Sequence, residues 1–228
     1  MSRSKTESVR NAFLKAAIEV FLEAGFEQST MDAIAARSGR AKSTLYRYFD
    51  SKEALFSALI IKASQGHDNE IINFLYRSGN GPQTGNSTEN AVDSLIFPSH
   101  EADCKDALTQ FGQYILTHFH TPQTLAVRRM MIAAAATHPE IGRQFYEQGP
   151  SRVIKHLEQY FSPLIDKGYF HSADPHVVAC HYFGLLESEV SEAGLHNVIT
   201  QLSDEQIKAI ASRSVTVFMR AYAREFPQ

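Results

Sequence analysis

The chain has 228 residues, 43% of them hydrophobic, and a formal net charge of −3 at pH 7. That length can bury a substantial core, in one compact unit or in a small domain followed by a larger one. Its two cysteines, Cys104 and Cys180, make no disulfide framework, no apolar run approaches the ~20 residues of a membrane span, and the N-terminal stretch mixes acids and bases unlike a secretory leader. The expectation is a cytoplasmic protein with no membrane partner.

Helical periodicity dominates from the start. Val9, Ala12, Phe13, Ala16, Ala17, Val20 and Phe21 recur at steps of three and four, an apolar stripe on a first helix that Gly25 ends, and Phe26 then plugs the core. Ser29 or Thr30 is a candidate N-cap for a second helix; Asp32, three residues after Ser29, completes an [ST]-x-x-[DE] capping arrangement. Ile34 and Ala35 face inward on that helix, and Gly39 follows as the residue that tolerates a left-handed helix end. A third helix spans 41–48. Two short helices joined by such a turn form a helix-turn-helix, whose second helix enters the DNA major groove.

On the third helix Leu45 and Phe49, four apart, are the core anchors. The rest are donors: Arg40, Lys42, Ser43, Thr44, Tyr46, Arg47 and Tyr48. Ser51 is a plausible N-cap of a fourth helix, and Lys52 beside it suits a phosphate. Any one of these residues alone reads as an ordinary solvated position; their convergence does not. Thr44, Tyr46, Tyr48 and Lys52 are expected on phosphates and Arg40, Lys42 and Ser43 nearer base edges, with Thr30 and Arg47 completing the DNA-binding set. Residues 1–52 hold nine Lys and Arg against six Asp and Glu, a net of +3, which leaves −6 for the remainder of a chain that totals −3. A basic head on an acidic body places the phosphate-attracting field at the reading surface.

The fourth helix continues through Leu55, Phe56, Leu59 and Ile60 to about residue 75, long enough to act as a lever between head and body. Residues 77–99 contain SGNGPQTGNSTEN and lose the helical period, so 78–99 reads as a loop. Helices resume at 103–119, 122–137, 140–147, 151–164, 174–193 and 203–226, with Pro122 and Pro139 at helix starts, where a missing N–H costs little.

The run carrying Phe26, Thr30, Ile34, Ala35, Gly39, Lys42, Thr44, Leu45, Tyr46, Tyr48, Phe49, Lys52, Glu53 and Leu55 resembles the DNA-binding domain of the TetR family of transcriptional repressors. Arg40 and Ala41 depart from the family's usual aliphatic residue and serine after the turn glycine, and Ala41 cannot cap the third helix. A second, more diffuse pattern around His138, Pro139, Phe145, Tyr146, Gly149, Pro150, Asp174 and Pro175 resembles the AefR-like C-terminal domain, whose members often control efflux or stress genes. The resemblance implies an all-α homodimer: an N-terminal three-helix DNA-binding domain at 1–52, and at 53–228 a larger helical domain that binds a small molecule and releases operator DNA.

Two stripes are the candidates for a dimer seam: Val178, Tyr182, Leu185 and Glu189 on one helix, and Ile207, Ile210, Ser214, Val217 and Phe218 on the other. Read from the residues alone they close the monomer core; the resemblance favours a four-helix seam across a two-fold axis. Phe111, Tyr114, Met130, Met131, Phe145, Tyr146, Phe161 and Phe183 are candidates for the lining of an apolar or aromatic ligand pocket, though large apolar side chains are more often plain core.

Ten histidines invite a metal, but His118-Phe-His120 straddles a helix end and Cys180-His181 lacks further ligands, so neither supplies the three or four that zinc requires. With no metal, no cofactor and no catalytic residues expected, a helical enzyme ranks below two regulator readings: a ligand-released repressor, and a DNA-binding regulator of the same fold that works without a small molecule.

Overall fold

The computed structural model describes residues 2–62 and 101–224, and every regular element among them is a helix. In chain order these are α1 (Ser2–Gln28), α2 (Met31–Ser38), α3 (Lys42–Tyr46), α4 (52–62), α5 (Glu101–Phe119), α6 (Pro122–Ala135), α7 (Pro139–Gln148), α8 (Pro150–Asp166), α9 (Pro175–Glu187), α10 (Ser191–Leu195) and α11 (Asp204–Tyr222). The lever beyond residue 62 and the loop at 78–99 lie outside the described residues. The chain divides into two compact units, one holding residues 1–66 and 126–150, the other 67–125 and 151–228.

The first unit is the head. Phe13, Ala17, Val20 and Phe21 of α1 bury the stripe that the sequence spells, against Ile34 and Ala35 of α2, Leu45, Phe49, and Leu55 and Phe56 of α4. Gly25 breaks the helical path inside α1 with φ 76° and ψ 166°, a region closed to most L-residues, and this swings Phe26 into the core. There its ring meets Phe21 and Phe56 at centroid distances of 5.6 and 5.2 Å. The later part of α6 and all of α7 belong to this unit as well: Met130, Met131, Ala134 and Ile141 complete its core.

The second unit is the body. Cys104, Leu108, Phe111 and Ile115 of α5, Leu157, Tyr160 and Phe161 of α8, Val178, Tyr182 and Leu186 of α9, and Val215 and Phe218 of α11 form one buried cluster. Phe161, Tyr182 and Phe218 lie 5.1 to 6.0 Å apart, in aromatic contact. The hydroxyl of Tyr182 donates to the Leu108 carbonyl at 2.6 Å, which satisfies the one polar atom of a fully buried ring. Gly112 lets these helices close: a Cβ there would stand 2.8 Å from Leu186 Cδ2.

Most helix ends lie within about two residues of the periodic pattern, the third helix closing to Lys42–Tyr46 from 41–48, and two ends differ by more. The helix expected over 174–193 ends at Glu187, whose carboxylate is buried on His120 Nε2 at 2.8 Å; Ser188 keeps helical angles, and Val190, at φ −130° and ψ −25°, leaves the helical path and starts α10. The last helix ends at Tyr222 instead of 226: Ala223 takes extended backbone and forms an isolated antiparallel bridge with Phe170. No helix among the described residues is long and apolar enough to cross a membrane.

Candidate nucleic-acid interface

The helix-turn-helix is assembled by local chemistry. The Thr30 hydroxyl accepts from the Ala33 N–H at 3.1 Å and so caps α2. Ser29, the alternative cap, is buried and donates to the Gly25 carbonyl at 2.5 Å, so the Ser29–Asp32 capping arrangement does not form. At the other end of α2, Gly39 adopts φ 67° and its N–H reaches the Ala36 carbonyl at 3.1 Å, while the Arg40 N–H reaches that of Ala35 at 3.3 Å. Ala41 starts α3 with no side-chain cap, as its chemistry requires. Leu45 and Phe49 are buried, which fixes the rotation of α3 and turns its polar face outward.

That face carries Arg40, Lys42, Ser43, Tyr46 and Arg47, all exposed, the Tyr46 ring at 42%. Thr44 is half-buried on the flank. The cations divide into two kinds. Arg40 and Arg47 make no ion pair among the described residues, whereas Lys42 Nζ sits 2.5 Å from Asp32 Oδ1 and 5.9 Å from the centre of the Tyr46 ring. The Asp32 hydrogen bond holds the Lys42 ammonium above the usual lysine range. An ion pair this exposed is screened by water and salt, so a phosphate or base edge can displace Asp32.

Two residues of the predicted DNA set also do structural work. The Tyr48 ring is half-buried and lies 5.9 Å from Phe13. Lys52 turns its ammonium onto the carbonyls of Phe26 at 2.7 Å and Glu27 at 3.1 Å, 4.4 Å over the Phe26 ring, and thereby ties the start of α4 to the end of α1. Ser51 caps α4 by accepting from the Ala54 N–H at 3.1 Å.

Other supports of the head went unread in the sequence. Arg37 is fixed by Glu19 and by a two-point bond to Glu23, at 2.8 and 2.5 Å, which braces α2 on α1 and holds the Glu23 carboxyl below its ordinary range. The turn between α6 and α7 also docks here: Thr137 donates to Glu27, His138 Nε2 lies 3.1 Å from the same carboxylate, and Ser57 donates to Gln144 at 2.6 Å. The Thr137 hydrogen bond, above all, lowers the Glu27 pKa. Sequence separations of 87 residues for Ser57 and Gln144 and 110 for Thr137 and Glu27 hide such pairs from any local pattern.

The predicted pocket set, the exposed Tyr146 apart, is divided between the two cores. Met130 and Met131 are buried in the head core with Phe145 packed on it, Tyr146 is 58% exposed, and Phe111, Tyr114 and Phe161 are buried in the body core with Phe183 packed against it. Packing decides this, because α6 delivers its methionines to a different unit from α5 and α8. The predicted seam is likewise redistributed: Val178, Tyr182, Ile207, Ile210, Ser214 and Phe218 are buried within a single chain, Leu185 is half-buried, and Glu189 and Val217 remain exposed. Glu189 pairs with Arg213 at 2.6 Å. No group of three or more metal-ligating side chains converges among the described residues.

Comparisons with known proteins match the N-terminal and the C-terminal stretch of the chain separately, and the second match runs through residues 126–150 of the head. The family model described as bacterial regulatory proteins, tetR family, matches residues 13–59, and that of the AefR-like transcriptional repressor C-terminal domain matches 106–224. The HTH-type transcriptional regulator UidR of Escherichia coli strain K12 is 33% identical over 107 residues, 46% of this chain and 50% of UidR, so the match spans about half of that relative. A TetR-family transcriptional regulator from Mesorhizobium loti superposes with a TM-score of 0.77 at 23% identity, covering 98% of this chain and 100% of that one. The flavonoid-responsive regulator FrrA gives 0.69 at 27% identity, covering 95% and 98%.

Proposed function

The chain belongs to the TetR family of transcriptional regulators, not to a family of enzymes, and from that premise we propose a repressor that holds a near-palindromic operator as a homodimer and lets go of it when a small apolar or aromatic ligand binds. The observation that carries the DNA part is the outward face of α3 and its two ends, where Arg40 in the turn before it and Arg47 at its C-cap make no ion pair among the described residues, beside a helix whose rotation Leu45 and Phe49 fix. Arg40, Lys42 and Ser43 read base edges, and Thr30, Thr44, Tyr46, Arg47 and Tyr48 hold phosphates. Lys52 has three N–H donors and uses two on the α1 carbonyls, which leaves one for a phosphate.

One short helix reads only a few base pairs, so two copies about 34 to 36 Å apart are needed for useful specificity. With the predicted apolar stripes buried in the body, the surface that supports dimer formation is the outer side of α9 and α11, where Val177 is 41% and Val217 51% exposed and the α-carbon of Gly184 faces open space. The repressor reading is supported by the AefR-like repressor model, and an aromatic ligand by the likeness to a flavonoid-responsive regulator. Efflux or stress genes are the proposed targets, and the chromosome as partner puts the protein in the cytoplasm.

The test is operator selection from random duplexes followed by binding at graded salt. Arg47→Ala weakens all sequences and reduces the slope of log affinity against log salt by roughly one, whereas Arg40→Ala relaxes preference at one position by ~1 to 3 kcal/mol. No sequence preference in the selected pool overturns the reading. Val217→Glu yields a monomer by light scattering; an unchanged dimer mass moves the seam elsewhere. Ligand release requires reciprocity: a coupling of roughly 1 to 3 kcal/mol lowers operator affinity about 5- to 150-fold, and operator weakens ligand binding by the same factor.

A further inference from the structure

A cleft of about 420 Å³ opens in the body between the first turns of α5 and the last turns of α11, lined by Glu101, Lys105, Thr216, Met219, Arg220, Ala223 and Arg224. Met219 and Ala223 supply the apolar part of its lining, Met219 buried in the core cluster except for a small exposed part and Ala223 packed on that cluster. Its rim is cationic. Lys105 and Arg220 have no side-chain hydrogen bond or ion pair among the described residues, and Arg224 donates only its Nε, to His171 Nδ1 at 3.0 Å. Glu101 is the single acid of the lining, so three cations face one carboxylate in the part of the chain that totals −6.

Cations gathered at a concave site repel one another, and a bound anion turns that repulsion into attraction. Guanidinium forks match a carboxylate in two-point geometry, and a polarizable thioether accommodates an irregular apolar body. The volume lies in the range of small-molecule sites. We propose that this cleft binds a small amphipathic organic anion, with its carboxylate at Arg220, Lys105 and Arg224 and its apolar part over Met219 and Ala223. None of the residues expected from the sequence to line a pocket takes part.

The site stands on its own residues; its use as the effector site rests on the ligand-released repression proposed above. Octanoate, octanol and acetate are titrated by calorimetry into the full-length, DNA-free protein and into Arg220→Ala, Lys105→Met and, as a control outside the cleft, Arg213→Ala. Octanoate binds once per chain, weakens with added salt, and loses about tenfold or more in affinity in each cleft variant but not in the control. Octanol and acetate bind at least tenfold more weakly, because each lacks half of the match. Equal binding of octanoate and octanol, no octanoate binding at all, or octanoate affinity indifferent to both cleft substitutions overturns the site. Circular dichroism confirms that the variants fold. The operator titration is then run with and without saturating octanoate: unchanged operator affinity removes the effector role and leaves the site, whereas loss of sequence-specific DNA binding in the absence of any anion removes the regulator reading itself.

Discussion

Gly39 in the head and Gly112 in the body are glycine for opposite reasons. Gly39 has open space around its α-carbon but a left-handed backbone at φ 67°. Gly112 sits in the ordinary helical run of α5, where an added Cβ would meet Leu186 Cδ2 at 2.8 Å, Tyr182 Oη at 3.2 Å and Ala211 Cβ at 3.4 Å. The contrast extends to the two units. The helix-turn-helix is set by caps, turn backbone and short-range spacing, each within a few residues. The body is set by what four helices leave room for when they meet.

Core deletions probe that contrast most strongly. Phe218→Ala, fully buried against Phe161 and Tyr182, costs ~3–5 kcal/mol, and Leu45→Ala, fully buried under α3, costs ~2–5 kcal/mol, by urea unfolding. Hydrogen exchange by mass spectrometry locates the loss: faster exchange in α5, α8 and α11 for the first, and in α1, α2 and α7 for the second. Equal loosening everywhere in both variants would dissolve the distinction between the units.

Gly112→Ala comes next. Helix propensity alone favours the alanine by roughly 0.5–1 kcal/mol, but the overpacking against Leu186 and Tyr182 costs ~1–3 kcal/mol, so the net is destabilising. A stabilised variant would show that α9 gives way easily. Gly39→Ala costs ~1–2 kcal/mol from backbone strain alone and weakens operator binding by misplacing α3. Thr30→Ala, which removes the cap hydrogen bond to Ala33, costs about 1 kcal/mol.

The smallest effect is electrostatic. Arg213 beside Glu189 holds that carboxyl below its ordinary value, chiefly through the hydrogen bond between them. A carboxyl whose folded pKa is depressed stabilises the fold above its unfolded pKa and loses that contribution as pH falls through the folded value. Glu189→Gln is therefore slightly less stable than the parent at pH 7, and the difference disappears in acid; an offset that persists below pH 3 would assign it to packing.

Legibility differed between head and body along the same line. The stripe on α1, the plug at Phe26, the turn at Gly39 and the anchors Leu45 and Phe49 are where their spacing puts them, whereas of the two candidate caps the Thr30 hydroxyl serves and the Ser29–Asp32 spacing does not. Lys52 shows the limit even in the head: its type and position beside a helix start suggest phosphate, yet its ammonium is turned onto carbonyls 25 and 26 residues away in sequence. In the body, the period of Val178, Tyr182, Ile207, Ile210 and Phe218 marks one apolar face per helix but cannot name what that face meets. The structure gives those faces to the monomer core.

What the chain determines by itself is therefore its helices, the helix-turn-helix and the family they signal, because capping, left-handed glycine and apolar spacing act between residues close in sequence. Only the tertiary structure decided that Met130 and Met131 serve the head, that Arg37 and Lys52 brace it, and that Lys105, Arg220 and Arg224 surround one cleft. Those outcomes depend on which helix packs beside which, and a partner on another helix, 14 residues away for Arg37 or 26 for Lys52, leaves no trace in a local period.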